Sequence, residues 1–590
     1  MTNSPFPDPS VLFQQAVSLH RSGNVAQAAA LYRQLLRRFP PNPQILDALG
    51  AAELQLGNAK ESVALLKKLL NMSPNQPRAL CNMGMGLHNL GRLDEALGSY
   101  DRAIALNPGY ALAYNNRGNV LKDLDQPDQA LASFDRAIGL NSNYAEAHNN
   151  RGNVLKELKR PNEALASFDR AIALDPHYAV AHCNRGIALT GLKRLDEALI
   201  SFDRSIALDR SYAGAHCSRA GALADLGRWD EALASCRRAL AIDPGFVEAH
   251  LREAFVLLSL KRPDEALASC DRLIALDPGN GEAHFRKSTI KLLVGDFASG
   301  WELYEWRWKT PTLNMVPRDF GKPRWTGEQS LAGKTLLVDG EQGMGDVVQF
   351  CRYAPMVRAL GAKVIIEAQK RLLPLLSSMK CDVTFVEVSN PPPDCDLQCP
   401  LMSLPLAFKT RLETIPAEVP YLFADPDKVR EVLRKLGDKT RPRIGLVWSG
   451  SPTHVDDHNR SIPLERFAPL LQLPYEFHAL QIDIRPEDAA ALARFPQLRT
   501  HLDEQDDFSD AAALIEAMDL VITVDAVLSH VAGALGKKVW VLNAWVPDWR
   551  WMLDRSDSPW YPSATLFRQP AKYDWNSVFD EIAARLQSEF

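Results

Sequence analysis

A period of 34 residues runs through the first half of this chain without slipping. Counted from Val11, the successive units open at Ile45, Ala79, Ala113, Ala147, Ala181, Ala215, Ala249 and Ala283. A spacing of about 34 with two helical segments per unit predicts helix pairs that stack on their neighbours. Such a stack buries its apolar faces only between adjacent units and leaves one long surface free. The first half of the chain is therefore predicted to bind an extended partner.

The 34-residue spacing resembles that of tetratricopeptide repeats, and the predicted helix pairs carry small residues at matching positions. The units that open at Ala113 and Ala147 are near duplicates, and Gly118 and Gly152 should let paired helices approach closely. The matching small sites are Ala130, Ala137, Ala164 and Ala171. We predict an array of about nine units over 11–310 and a junction over 311–333.

One column of the array suggests how it binds a partner. The fourth residue of each unit reads Asn82, Asn116, Asn150 and Asn184, followed by Ser218, Arg252 and Arg286. An amide offers both a donor and an acceptor to an extended backbone, so these asparagines are candidate acceptor-binding residues. A solvated face copied by duplication is the equal alternative. The neighbouring arginines are expected to pair with adjacent acidic residues: Arg117, Arg151, Arg185 and Arg219.

The last unit ends in WELYEWRWKTP, where Trp301, Trp306 and Trp308 replace small residues. A terminal repeat needs a cap. Bulky aromatic side chains predict a cap that packs onto the following domain.

Composition excludes several classes of protein. The net charge of -5 and the isoelectric point near 6.3 give no indication of nucleic-acid binding. The N-terminal stretch 1–10 has no leader pattern and no long apolar run is present, so we expect a cytoplasmic protein without a membrane span. The nine cysteines indicate no disulfide framework. Cys395 and Cys399 lack a second pair, and we expect no metal and no cofactor.

From Lys334 onward, apolar strands alternate with helical segments. TLLVDG, KVIIEA and DVTFVEV form the first set, and RIGLVWSG, EFHALQ, DLVITVD and KKVWVLN form the second. A helical segment over 425–437 separates the two sets. We predict two Rossmann-like lobes over 334–424 and 425–590, with a ligand site at the carboxyl ends of their strands.

The first candidate motif is GEQGMGD, which lies between a strand and a helix. Gly343 and Gly345 should let the backbone approach a ligand. An aspartate at a helix start should have a lowered pKa, so Asp346 is expected to be a weak base. The order G-x-x-G-x-G is not the dinucleotide fingerprint, although Glu367 ends the next strand where a ribose-binding acid would lie. An NAD-dependent enzyme therefore stays open.

Two further segments follow strands of the second lobe. The loop 448–464 crowds small, polar and basic groups, and Arg460 could face a diphosphate with two hydrogen bonds. The second segment runs from Asp525 through a short helix, in which His530 is either a catalytic-site residue or merely a polar helix residue. The pair Asp394 and Asp396 follows prolines rather than a nucleotide-binding unit, so we interpret it as loop.

Together, GEQGMGDVVQFCRYAP, NRSIPL and VDAVLSHVAGALG resemble the heptosyltransferase-like GT-B enzymes of glycosyltransferase family nine. The resemblance implies an α-solenoid followed by an α/β GT-B domain, with Asp346 as general base. It also implies donor-binding residues, namely Gly343, Gly345, Trp448, Ser449, Gly450, Arg460, Ser461, Asp525, Ser529 and His530. The family often has Thr-Gly after the acidic turn, where this chain has Ala526 and Val527. The asparagine column resembles the ladder of the eukaryotic O-linked N-acetylglucosamine transferases.

These observations predict an inverting, metal-independent glycosyltransferase that takes a nucleotide sugar as substrate and modifies a protein held by the repeats. Bacterial flagellin glycosyltransferases combine the same two parts, so flagellin is an expected acceptor by resemblance. The alternative is a non-enzymatic repeat scaffold with a degenerate transferase domain, because Ala526 and Val527 depart from the family pattern.

Overall fold

The computed structural model describes residues 8–388, 392–454, 457–501 and 505–590. Most of the N-terminal stretch 1–10, the first proline of the cluster 391–393 and residues 455–456 of the loop 448–464 lie outside the described residues. The chain divides into two compact units, of which the first ends at Pro244 and the second begins at Gly245.

The first unit is a series of helix pairs. From residue 8 onward its helices are α1 (Pro9–Arg21), α2 (Val25–Arg38), α3 (Pro43–Gln55), α4 (Ala59–Met72), α5 (Pro77–Asn89), α6 (Leu93–Leu106), α7 (Ala111–Asp123), α8 (Pro127–Leu140), α9 (Ala145–Glu157), α10 (Pro161–Leu174), α11 (Ala179–Gly191), α12 (Leu195–Leu208), α13 (Ala213–Asp225) and α14 (Trp229–Ile242).

Small residues hold each pair together, as the repeat pattern predicts. A Cβ atom added to Gly118 would lie 2.7 Å from the ring of Phe134, so only glycine fits there without a shift. The four alanines at the small sites are all fully buried. The buried residues form successive clusters within neighbouring repeats rather than one large core.

The arginine column pairs within the array, and this prediction is confirmed. Arg185 Nε donates to Asp169 Oδ1 at 2.7 Å, and its Nη1 donates to Ser201 Oγ at 2.7 Å. The same aspartate bond recurs at three further repeats, from Arg117, Arg151 and Arg219.

The second unit begins with the last two helix pairs, namely α15 (Val247–Ser259), α16 (Pro263–Leu276), α17 (Gly281–Leu293) and α18 (Phe297–Tyr304). A short 3-10 helix, Glu305–Lys309, follows α18. Trp301 is buried, and its ring meets that of Trp549 edge-on with the centroids 5.1 Å apart. Arg307 is fully buried and donates to Glu341 Oε1 at 2.9 Å. The cap therefore packs onto the α/β part, as its aromatic residues predict.

The first sheet has four parallel strands in the order β3-β2-β1-β4. The strands are β1 (Thr335–Asp339), β2 (Lys363–Ala368), β3 (Val383–Glu387) and β4 (Leu397–Pro400). Its helices are α19 (Met344–Phe350), α20 (Ala354–Ala359), α21 (Leu373–Leu376) and α22 (Leu404–Ala407). In the junction, Trp325 N donates to Gln398 O at 2.8 Å, which attaches this segment to β4.

The second sheet has six parallel strands in the order β10-β9-β8-β5-β6-β7. The strands are β5 (Arg443–Val447), β6 (Glu476–Ala479), β7 (Leu498–Arg499), β8 (Leu520–Val524), β9 (Val539–Asn543) and β10 (Ala564–Arg568). Its helices are α23 (Pro426–Leu436), α24 (Asp457–Arg460), α25 (Ala468–Leu471), α26 (Pro486–Leu492), α27 (Phe508–Glu516), α28 (Val527–Ala534) and α29 (Trp575–Glu589).

These two parallel sheets, each flanked by helices, are the twin Rossmann-like lobes of a GT-B-like domain, so the fold-class prediction is confirmed. One hydrophobic cluster joins buried residues of both sheets with those of α17 and α18. Among the described residues, no helix combines the length and apolarity needed to cross a membrane.

Candidate active site

A cavity of about 960 Å³ lies in the second unit, at the carboxyl ends of strands from both sheets. Its walls include the segments that follow β1, β5, β6, β8, β9 and β10, together with residues of α15 and α17. Eight of the residues that the sequence singles out line it, namely Gly343, Gly345, Asp346, Ser449, Gly450, Arg460, Asp525 and His530. Strand ends of this kind are where α/β proteins bind ligands.

Asp346 is the carboxylate of the glycine turn. It lies in the first turn of α19, and Gly343 N donates to its Oδ2 at 2.9 Å. Burial raises the pKa of Asp346, although the Arg550 guanidinium beside it acts in the opposite direction. The expected lowering of this pKa is therefore wrong, because burial outweighs the helix start and the neighbouring cation.

Arg550 is the partner of Asp346 that the sequence did not reveal. Its guanidinium forms an ion pair with the Asp346 carboxylate, and its Nη1 lies 2.9 Å from Asp548 Oδ1. Its Nε donates to Gln349 Oε1 at 2.7 Å, so three groups fix the side chain. The only sequence signal is the arginine between two tryptophans in PDWRW. Arg550 links the segment after β9 to the turn after β1.

Arg460 lies in the loop that follows β5, at the end of the short helix α24. Its side chain is 17% exposed, and its Nε lies 3.6 Å from Asp457 Oδ1. That nitrogen is buried and donates no hydrogen bond within the described residues. Ser449 and Gly450 lie beside Arg460 on the cavity wall. The loop thus presents a guanidinium with unused donor capacity to the cavity.

Trp448 and Ser461 belong to the same loop, but neither lines the cavity. Trp448 is fully buried, and its Nε1 donates to Asp488 Oδ2 at 2.9 Å. Ser461 Oγ donates to Asp457 Oδ1 at 2.7 Å and accepts from Gly450 N at 3.1 Å. Their polar groups therefore already have protein partners, and their predicted contact with a donor stays a prediction.

Asp525 lies at the carboxyl end of β8 and lines the cavity. Burial raises the pKa of Asp525, and the charge of Asp548 adds to this effect. Arg460 acts in the opposite direction, so the acidic turn and the basic loop influence each other across the cavity.

His530 and Ser529 lie on α28, immediately after the acidic turn. His530 Nδ1 lies 3.0 Å from the Tyr561 hydroxyl, and burial holds the pKa of His530 well below its usual range. A Cβ on Gly345 would lie 3.0 Å from His530 Cδ2, so this glycine permits the close approach of α19 and α28. Ser529 is fully buried, donates to Ala526 O at 2.6 Å and does not line the cavity, so its predicted donor contact stays a prediction.

Asn543 ends β9 and is a second residue that sequence reasoning missed. It is 1% exposed, yet it lines the cavity. Neither Oδ1 nor Nδ2 has a hydrogen-bond partner within the described ranges. A buried amide in this state can donate to and accept from a polar ligand. Only its position at a strand end could have indicated it.

Glu367 is not placed to bind a ribose. It is fully buried, and Arg318 Nη1 donates to its Oε2 at 2.6 Å. Asp394 and Asp396 also have other partners, since Asp394 pairs with Lys322 and Asp396 accepts from Thr335 N. In the part of the chain that the structure describes, no three His, Cys, Asp or Glu side chains gather as metal ligands would.

The asparagine column of the first unit makes bonds between repeats. Asn150 Nδ2 donates to Asn115 Oδ1 at 3.1 Å, and Asn184 Nδ2 donates to Asn149 Oδ1 at 2.9 Å. Asn116 Nδ2 contacts Cys81 Sγ at 3.9 Å, and Asn82 is half-buried. Part of the amide capacity of the column is therefore used within the array.

Comparison with known families identifies both parts of the chain. Models of the tetratricopeptide repeat match residues 13–77, 86–125, 111–144, 145–178, 183–246 and 223–288. The model of glycosyltransferase family 9 (heptosyltransferase) matches residues 487–571.

The chain joins tetratricopeptide repeats to a glycosyltransferase family 9 domain.

The family 9 match contains Asp525 and His530, whereas Asp346 and Arg460 lie outside it. Protein FlbA of Caulobacter vibrioides is 29% identical over 331 residues, which are 51% of this chain and 54% of FlbA. The chain thus spans about half the length of this relative.

Solved tetratricopeptide structures are similar to part of this chain. YrrB, described as a TPR protein with an unusual peptide-binding site, is 26% identical and covers 31% of this chain and 95% of its own, with a TM-score of 0.27. A thermophilic TPR protein in Thermus thermophilus is 24% identical and covers 31% of this chain and 100% of its own, with a TM-score of 0.28.

Proposed function

We propose that this chain is an inverting, metal-independent glycosyltransferase that moves a sugar from a nucleotide-activated donor to a protein held by its repeats. The observation that carries the proposal is the charge pattern of the cavity around Asp346. Six Lys or Arg side chains and four Asp side chains line it, so the cavity favours an anionic ligand. A nucleotide diphosphate has that charge.

The reaction needs a base and a stabilised leaving group. The acceptor hydroxyl would attack the anomeric carbon, the bond from that carbon to the diphosphate oxygen would break, and Asp346 would take the hydroxyl proton. Burial raises the pKa of Asp346 and makes it a stronger base than an exposed aspartate. Arg460 would face the charge that develops on the diphosphate.

The acceptor part of the proposal rests on the array. Protein capture is a common use of tetratricopeptide surfaces. The column of Asn82, Asn116, Asn150 and Asn184 is proposed to bind the acceptor backbone through the oxygen atoms and protons that the inter-repeat bonds leave unused. Flagellin remains the acceptor that the resemblance suggests.

The proposal is tested by separating donor binding from turnover. Asp346→Asn should reduce transfer at least about 100-fold, the scale for losing a general base. Asp394→Asn is the matched control, because Asp394 is 96% exposed and lies outside the cavity wall. Transfer is measured as the intact mass of candidate acceptors in strains that carry no gene, the wild-type gene or either variant. Near-normal transfer by Asp346→Asn would remove Asp346 from the reaction.

Donor binding is measured by calorimetry with a panel of nucleoside diphosphates. Arg460→Ala should weaken the best binder by about 1.5 to 3 kcal/mol, the range for a hydrogen bond to a charged group. An unchanged affinity of Arg460→Ala for the nucleoside diphosphate would show that another group binds the diphosphate.

A non-enzymatic scaffold is the second candidate, because Ala526 and Val527 line the cavity where the family pattern often has Thr-Gly. The scaffold predicts nucleotide binding without any change in acceptor mass in the wild-type strain. Transfer that depends on Asp346 would exclude it.

A further inference from the structure

A second cavity, of about 570 Å³, adjoins the first within the second unit. It is lined by one face of α15, one face of α17 and the segment that follows the cap. Phe255 and Arg286 belong to the walls of both cavities. A chain lying in the second cavity would therefore lead directly to the site that contains Asp346.

The face of α15 that lines these cavities has exposed apolar side chains. Val247, Leu251, Phe255 and Ser259 follow one another at intervals of four and share one side of the helix. Val247 is 39% exposed and Phe255 is 40% exposed. From Val247 to Ser259 the helix rises about 18 Å, which an extended chain covers with about five residues. This wall suits a short extended peptide.

Three cations and two carboxylates line the second cavity, namely Arg252, Arg286, Lys309, Glu248 and Glu282, so it carries one net positive charge. Glu248 is paired with Arg252 at 2.6 Å, and Glu282 Oε1 accepts from the Thr312 hydroxyl at 2.6 Å. The Arg286 guanidinium forms no hydrogen bond or ion pair with any described residue. Lys309 lies over the Trp306 ring at 4.6 Å and adds to the positive charge.

The residue type of the asparagine column changes in the repeats that line these two cavities. The positions that are asparagine in the first unit are Arg252 and Arg286 in α15 and α17. Arg252 forms an ion pair with Glu248, whereas Arg286 lines both cavities. The chemistry of the column thus changes from amide to cation beside the candidate active site.

We propose that the acceptor segment lies extended along α15 and α17, and that Arg286 selects segments with an Asp or Glu near the hydroxyl to be modified. The proposal rests on the glycosyltransferase function argued above, and it specifies the class of acceptor. Phe255 covers the apolar part of the segment, and Arg286 pairs with its carboxylate.

Peptide binding without a donor tests the selection separately from turnover. The probes are fluorescein-labelled nonapeptide mixtures with a central Ser, flanks of Gly, Ala, Asn and Gln, and one further position fixed as Asp, Lys or Ala. That position is placed three residues before or three residues after the Ser. Fluorescence anisotropy with the full chain should show the Asp mixture binding about fivefold more tightly than the Lys mixture, the scale of a partly exposed ion pair.

Arg286→Glu should reverse this order, and Arg286→Gln should abolish it. Arg102→Glu is the matched control, because Arg102 is exposed in the first unit, and it should keep the wild-type order. Phe255→Ala should weaken all three mixtures by a similar factor. Circular dichroism melting verifies that each variant is folded, and Arg286→Gln replaces Arg286→Glu if the charge reversal does not fold.

Equal binding of the Asp and Lys mixtures, an order unchanged by Arg286→Glu, or no binding up to millimolar peptide would each overturn the proposal. If the order reverses while no acceptor changes mass in cells, the acidic-peptide surface stands and the transferase function fails. If mass transfer occurs but the order is absent, the transferase stands and the selection by Arg286 fails.

Discussion

Arg185 in the first unit and Arg307 in the second unit both pair with carboxylates, but their surroundings differ. Arg185 is 25% exposed and Asp169 is 51% exposed, whereas Arg307 is 0% exposed and Glu341 is 4% exposed. The first pair is one copy of a bond repeated along the array. The second joins the cap to the glycine turn at the candidate active site. The Arg185 pair is therefore local and partly screened by solvent, whereas the Arg307 pair is buried between distant segments.

The apolar cores differ in the same way. The first unit has small clusters within neighbouring repeats, and the second unit has one cluster that includes both sheets and the cap. Of the twelve tryptophans, only Trp229 precedes Gly245. Tryptophan fluorescence therefore reports mainly on the second unit, whereas the helical circular dichroism signal also includes the array. Unfolding followed by the two signals can compare the stabilities of the two units.

The largest expected effect comes from breaking the buried network. Arg307→Met would leave Glu341 and Glu305 without their common cation, since Arg307 also lies 2.8 Å from Glu305. We expect the free energy of unfolding of the second unit to fall by about 3 to 5 kcal/mol, the cost of leaving a buried charge unpaired. Urea unfolding followed by tryptophan fluorescence measures it.

Arg185→Met is the control in the first unit. Its exposed pair should be worth at most about 1 kcal/mol. Equal losses of stability from Arg307→Met and Arg185→Met would show that burial does not make the Arg307 pair worth more than the Arg185 pair.

The second prediction concerns pH and His478. This residue of β6 is fully buried, and burial lowers the pKa of His478 to about 4. The unfolded chain, with a histidine pKa near 6.5, then binds more protons than the native chain between about pH 6.5 and pH 4. Stability conferred by the neutral ring is complete above about pH 6.5 and is lost as the pH falls towards 4.

Between pH 7 and pH 5 this loss should be about 2 kcal/mol in the tryptophan-detected transition. His478→Gln should remove most of that slope. His177→Gln, at an exposed position between α10 and α11, should leave it unchanged. A slope that survives His478→Gln would assign the acid sensitivity to another group.

The third prediction tests the close packing of the repeats. A Cβ on Gly152 would lie 2.5 Å from Phe168 Cε1. Gly152→Ala should therefore destabilise the array by about 1 to 3 kcal/mol through overpacking. Urea unfolding followed by circular dichroism at 222 nm measures the effect.

Gly139 provides the opposite case, because an added Cβ would meet no atom within 4 Å. Gly139→Ala should stabilise helix α8 by about 0.5 kcal/mol. Destabilisation by both substitutions would show that fit against Phe168 does not explain the loss at Gly152.

The smallest expected effect concerns the asparagine column. Asn150→Ala removes the bond to Asn115 and should cost about 0.5 to 1.5 kcal/mol. Asn153→Ala, at a half-buried position of α9, is the control and should cost less. If the column also binds the acceptor, Asn150→Ala should raise the Michaelis constant for the acceptor protein without changing donor hydrolysis. A stability loss with an unchanged Michaelis constant would limit the column to joining repeats.

Local sequence patterns were sufficient to predict the array and the order of strands and helices. A period of 34 residues and alternating apolar runs report local periodicity, and local periodicity is what sets helices, strands and the small packing sites of the repeats. The positions of Asp346, Arg460 and Asp525 after strands also followed from the sequence, because the carboxyl ends of parallel strands share one edge of a sheet.

The tertiary structure decided which side chains meet. Arg550 pairs with Asp346 across 204 residues of chain, and no local pattern records such a contact. Burial reversed the expected shift in the pKa of Asp346, while Trp448 donates to Asp488 and Ser529 donates to Ala526 O. Partner choice, solvent exclusion and pKa depend on segments that are distant in sequence, and those are set only when the sheets and the cap pack together.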